Sequence, residues 1–105
     1  MKYVLLFLFV ALVVYIVFLD LNKNVNRPTT RIVKRLPHPR SAMTIPPFGI
    51  LIKEGNDTKE IRRHEACHWK QYQKLGLLPF YFNYFREHIK NGYDQNAYEI
   101  ECYSN

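Results

Sequence analysis

The sequence predicts a mainly α-helical chain with a short β segment, organised as an N-terminal transmembrane helix followed by one small domain. Three observations carry this. Residues Tyr3 to Leu19 form an apolar run without a single charge. The pentapeptide His64-Glu65-Ala66-Cys67-His68 lies in a segment whose apolar residues recur with helical period. Proline and glycine then punctuate the remainder into a β-prone run and further helical stretches. At 105 residues there is room for one small domain beside the apolar run.

As a helix, the run from Tyr3 to Leu19 is roughly 25 Å long, close to the hydrocarbon thickness of a bilayer. It exceeds a usual signal core, and Asp20-Leu21-Asn22-Lys23 follows it where a small-x-small cleavage site would stand. A helix apolar on every face also has no place in the core of a domain this small. Residues 1–21 are therefore expected to be a membrane anchor.

The formal charge of +6 is unevenly placed. Lys2 offsets Asp20, residues 41–105 balance, and Lys23, Arg27, Arg31, Lys34, Arg35 and Arg40 stand between them with no acid. A nucleic-acid-binding domain carries its basicity on the folded part, so no nucleic-acid partner is expected. Cations at this place suit anionic lipid headgroups, and the positive-inside rule puts the C-terminal domain in the cytoplasm. Pro28, Pro37 and Pro39 argue against continuous helix, so residues 22–43 are expected as a basic linker, with His38 part of it rather than a ligand.

The domain is expected over residues 44–105. Thr44-Ile45-Pro46-Pro47 is extended, and Phe48 to Lys53 is a short strand that could pack or offer an edge to an extended peptide. Asp57 and Glu60 fit a capping box, and Gly76 closes the helix they open. Its inward stripe contains Ile61, His68, Tyr72 and Leu75, while Arg62, Arg63, Lys70 and Lys74 fall outside it. The i, i+4 spacing puts His64 and His68 on one face, where both can hold one metal ion, and Glu65 beside them can take a proton from a water on that metal.

Pro79 suits the first turn of a second helix running to about Lys90 and ended by Asn91-Gly92. It is dense in aromatics (Phe80, Tyr81, Phe82, Tyr84, Phe85), expected as core or as a face resting on the bilayer. His88 on it reads as a surface residue. A third helix opens with Asn96 as cap and Glu99 at the capping-box position. A catalytic zinc site also needs a third protein ligand, and Glu99 and Glu101 are acids on a helix that can cross the first. Cys67 and Cys102 are too few for a disulfide scaffold and are expected reduced in the cytoplasm.

These residues resemble the gluzincin zinc metallopeptidases. The likeness rests on His64 to His68, Gln71-Tyr72, Leu75-Gly76 and, some thirty residues on, Asn96-Ala97-Tyr98-Glu99-Ile100-Glu101-Cys102. It is nearest to very small bacterial or phage members and covers roughly residues 45 to 103. The resemblance implies a minimal zincin-like domain that binds Zn2+ through His64, His68 and Glu99, with Glu101 as alternative third ligand. It further implies Glu65 as general base and a peptide or protein as substrate. Ala97, Cys102 and Tyr103 depart from the family pattern, and Tyr93, Tyr98 and Tyr103 are candidate oxyanion donors. The alternative is a non-catalytic, zinc-binding, membrane-anchored interaction protein.

Overall fold

The computed structural model describes residues 2–23, 27–37 and 40–104, so His38 lies outside the described residues. The chain is mainly helical with one three-stranded sheet. Helix α1 spans Lys2–Leu21 and buries none of its residues. It is long and apolar enough to cross a membrane. With nothing buried, it is not a core helix of the domain.

The strands are β1 (Thr30–Val33), β2 (Ala42–Ile45) and β3 (Gly49–Lys53). They assemble in the order β1-β3-β2, with β1 parallel and β2 antiparallel to β3. One expectation changes here, and one open alternative is decided. The stretch expected as linker contributes β1 and the start of β2, because Thr30-Arg31-Ile32-Val33 finds in β3 a partner twenty residues away (Thr30 faces Ile50). Of the two roles open to β3, packing or an edge, it takes the first as the centre of the sheet: its Ile50 and Ile52 are buried, and the edge beside the next helix is β2. At the start of β3, Gly49 has φ +128°, and a Cβ there would lie 2.2 Å from the Thr29 carbonyl oxygen. Only glycine fits that approach.

Helix α2 (Lys59–Leu75) is the hub, packing against β2 and against two further helices, α3 (Leu77–Asn91) and α4 (Ala97–Ser104). Being covered on several sides explains why it buries polar Glu65, His68 and Gln71 together with Trp69 and Tyr72. Its cap is Thr58, whose hydroxyl accepts from the Ile61 amide at 3.2 Å. Asp57, expected at that place, instead receives two hydrogen bonds from Arg62 at 2.6 and 2.9 Å. The Gly76 amide donates to the Tyr72 carbonyl and turns the chain into α3.

The core is aromatic. Trp69 and Tyr72 meet edge to face at 4.9 Å, and Phe80 adds a third ring at 6.4 Å from Tyr72, with Leu75, Leu77 and Tyr81 around them. The aromatic helix thus divides: Phe80 is core, while Phe82 and Phe85 are exposed. Helix α1 and the turn that follows it are tied to the domain by hydrogen bonds, Tyr72 Oη donating to Asp20 Oδ1 and Gln73 Nε2 donating to the Lys23 carbonyl, both 2.7 Å.

Candidate metal centre

Helix geometry brings the two histidines together before any tertiary contact acts. One turn of α2 separates His64 from His68, their rings meet edge to face at 4.8 Å, and their Nε2 atoms are 3.2 Å apart. Helix α4 crosses α2 at this level and carries in Glu99, whose Oε1 lies 2.9 Å from His64 Nε2 and 3.1 Å from His68 Nε2. Two nitrogens and one oxygen from residues 31 and 35 positions apart therefore converge on one point. Glu99 is buried, and Tyr84 Oη of α3 donates to its other oxygen, Oε2. Asn96 fastens α4 to α3, donating from Nδ2 to the Tyr84 carbonyl at 3.1 Å while its Oδ1 caps the Tyr98 amide.

Glu101, the alternative third ligand, is turned elsewhere: its Oε1 accepts from Gln71 Nε2 at 3.0 Å. That same amide nitrogen also reaches the Tyr98 carbonyl, and Gln71 Oε1 lies 2.9 Å from His68 Nδ1. That oxygen is placed to accept a proton on Nδ1, an arrangement that would leave Nε2 free for a metal ion.

Glu65 lies on the same turn and is buried. The Thr44 hydroxyl of β2 sits 3.0 Å from both its Oε1 and its backbone carbonyl. Ligand atoms of His64, Glu65 and His68 all fall within 4.8 Å of one another, a group that could hold a metal ion. Glu99 is nearer to both imidazoles than that limit, and Thr44 holds Glu65 to one side. Glu99 Oε1 is close enough to both imidazole Nε2 atoms to serve beside them.

The two carboxylates are driven apart electrostatically. Burial raises the Glu65 carboxyl above its ordinary range, against the opposing pull of His68, Thr44 and His64. Burial works in the same direction on Glu99, but hydrogen bonds from His64, His68 and Tyr84 outweigh it and hold Glu99 well below the carboxylate range. Glu99 is thus fixed as an anion facing the imidazoles, and Glu65 has the greater appetite for a proton.

Two cavities flank the cluster. One of about 130 Å³ is walled by Thr44, Ile45, Glu65, His68, Tyr81 and Phe85 among others. A wider groove of about 800 Å³ runs past Ala42, Glu65, His64, His88 and Tyr103. Strand β2 borders both. His88 is an exposed residue of α3 along that groove, outside the converging set. Of the candidate tyrosines, Tyr103 packs its ring 4.4 Å from His64 and shares a 3.1 Å hydrogen bond with Tyr93, while Tyr98 meets the site only through its backbone carbonyl.

The cysteines, expected as thiols, are bonded: Cys67 and Cys102 form a disulfide with Cα atoms 5.5 Å apart. The reason is the crossing that brings Glu99 to the histidines. It sets one turn of α4 against the turn of α2 between the two histidines, and Cys67 and Cys102 lie on those turns. Sequence reasoning passed over Thr44 and Tyr84 as site residues because nothing local marks them. Gln71 stood in the motif with no role attached.

No family model, curated protein or solved structure matches this chain.

Proposed function

We propose that this chain is a membrane-anchored zinc metallopeptidase with a minimal zincin-like domain over residues 44–105, extended at its N-terminal side by β1 and β2. The observation that carries the reading is the mutual spacing of His64 Nε2, His68 Nε2 and Glu99 Oε1, 2.9 to 3.2 Å. Two atoms each about 2.0–2.1 Å from a tetrahedral zinc lie about 3.3–3.4 Å apart, so the three donors nearly form one face of such a polyhedron. Three protein ligands leave a fourth position open, as catalytic rather than structural zinc sites do.

Bound zinc would supply Lewis acidity, polarising a scissile carbonyl and acidifying a water. The chain's own residues do the rest. Glu65, buried and therefore avid for a proton, is held at Oε1 by Thr44. It takes the proton of the attacking water and returns it to the leaving amine. The free edge of β2 borders both cavities and is suited to pairing with an extended peptide backbone, which would carry a peptide bond past Glu65.

The test is Glu65→Gln, which keeps shape but cannot accept the proton. Peptide hydrolysis by the full chain in vesicles should fall by orders of magnitude with zinc content unchanged. Unchanged hydrolysis would remove Glu65 as base, and no hydrolysis by the wild type over a broad peptide library would favour the non-catalytic interaction protein.

Helix α1 is proposed as a permanent span, since Asp20 and Lys23 at its end hydrogen-bond to the domain helix. The cations after it favour a cytoplasmic domain by the positive-inside rule, the Cys67–Cys102 disulfide favours an oxidising compartment, and the proposal follows the cations. Protease added to sealed cells should leave the domain intact. Digestion would reverse the orientation and set the Cys67–Cys102 bond in an oxidising compartment.

A further inference from the structure

Helix α3 carries an apolar stripe that the domain does not use. Leu78, Phe82, Phe85 and Ile89 recur at intervals of four, three and four residues and so share one face, on which they are 76%, 67%, 55% and 85% exposed. A soluble monomer rarely leaves so much contiguous apolar surface on a single helix. No acid interrupts the stripe: Glu87 points to the α4 side, where its Oε1 accepts from the Ala97 amide at 3.2 Å. Arg86 and Lys90 border it, and the Arg86 guanidinium lies 5.9 Å over the Phe82 ring.

The stripe is continuous with the part of the domain that meets α1. Phe85 stacks on Tyr81 with ring centroids 6.2 Å apart. Tyr81 Oη donates to the Pro46 carbonyl in the β2–β3 turn. Two residues on, Phe48, itself half exposed, faces Tyr15 of α1 at 6.3 Å. Tyr15 lies within the apolar run rather than beyond its end. With α1 spanning a bilayer as proposed, the turn would reach it at a level where acyl chains surround the helix.

We propose that the Leu78-Phe82-Phe85-Ile89 face of α3 docks on the bilayer, with α3 lying in the interface. Its apolar side sits among the upper acyl segments and Arg86 and Lys90 reach to lipid phosphates. The occupant is lipid rather than a protein groove because α1 brings a bilayer to this surface and the bordering charges are cations. Tyr81 and Phe85 also wall the cavity beside Glu65 and His68, so docking sets the mouth of that cavity at headgroup level. Polypeptide segments lying at the membrane surface are then the ones that reach it. The docking claim rests on α1 spanning the bilayer and is independent of the metal chemistry.

The experiment uses the full chain in vesicles containing an anionic phospholipid, with tryptophan placed by Phe82→Trp, Ile89→Trp and, on the side of Glu87 away from the stripe, Asn91→Trp. The native Trp69 emission is subtracted. Acyl chains brominated near the headgroup should quench the tryptophans at 82 and 89 several-fold more than the one at 91. Equal, weak quenching at all three in a protein that alkaline carbonate leaves in the membrane would overturn the proposal. Release by carbonate would overturn it as well, because no span would then hold the face to the bilayer. If 82 and 89 are shielded from both brominated lipid and aqueous acrylamide, and Ile89→Asp turns cross-linkable dimers into monomers, a second copy covers the face and the proposal fails. None of these readouts uses zinc or hydrolysis.

Discussion

Gln71→Leu is the change that most sharply separates a built metal centre from a chance meeting of polar side chains. Gln71 is buried and makes three contacts: Oε1 to His68 Nδ1 at 2.9 Å, and Nε2 to the Tyr98 carbonyl and to Glu101 Oε1, both 3.0 Å. Leucine has nearly the same volume, so packing is kept while all three are lost. His68 loses the acceptor placed at its Nδ1, and α4 loses a clasp one turn from Glu99. Removing such an outer partner of a ligand typically weakens metal affinity about 10–100-fold. At about 1.4 kcal/mol per tenfold, that is about 1.4–2.8 kcal/mol. The assay is competition of the full chain, in detergent or vesicles, with a chromogenic zinc chelator. Glu101→Ala is the comparison, expected to be milder because Gln71 keeps both His68 and Tyr98. An affinity unchanged in Gln71→Leu would refute the reasoning, since His68 would then not depend on its partner. A larger loss in Glu101→Ala than in Glu99→Ala would move the third ligand to Glu101.

Three further outcomes follow from the same coordinates. Cys67→Ser with Cys102→Ser opens a loop spanning 35 positions, for which chain entropy gives about 3–4 kcal/mol, read as a lower melting temperature and looser zinc retention than in the oxidised wild type. Gly49→Ala should destabilise by about 1–3 kcal/mol, because φ +128° and the Thr29 carbonyl at 2.2 Å both oppose a Cβ, and an unaltered melting temperature would contradict the β1–β3 approach. Zinc should be released on acidification between about pH 8 and pH 5. Burial disfavours the His68 imidazolium but Glu99, Gln71 and Glu65 outweigh it, so its pKa is raised and protons begin to compete for Nε2 above the ordinary value of 6.5. Release confined to the carboxylate range would show that the imidazoles do not hold the metal.

What could be read from the sequence was what local geometry decides. His64, Glu65 and His68 share a helix turn whatever surrounds them, and the length and apolarity of α1 are properties of one segment. Gly76 and Gly92 ended α2 and α3 as expected, each cap amide donating to a carbonyl four residues back. What escaped was decided across the chain. Strands β1 and β2 are four residues each, and they exist because β3 pairs with both. In sequence they are a few β-prone residues among prolines and cations. Thr44 reaches Glu65 over 21 positions and Tyr84 reaches Glu99 over 15. Neither carries a local mark. The capping box on Asp57 and Glu60 was displaced by one residue, because Asp57 found a bidentate partner in Arg62 and left the cap to Thr58. The disulfide followed from the α2–α4 crossing that placed Glu99, and that crossing is itself a tertiary result.

The central claim, that His64, His68 and Glu99 form one zinc site with Glu65 beside it rather than in it, is tested most directly by metal analysis of the purified full chain. Elemental analysis of protein prepared with zinc available should find one zinc per chain in the wild type and in Glu65→Gln. Little or none should remain in His68→Ala and Glu99→Ala. A wild type without zinc, or a Glu99→Ala protein that keeps it while Glu65→Gln loses it, would contradict the account.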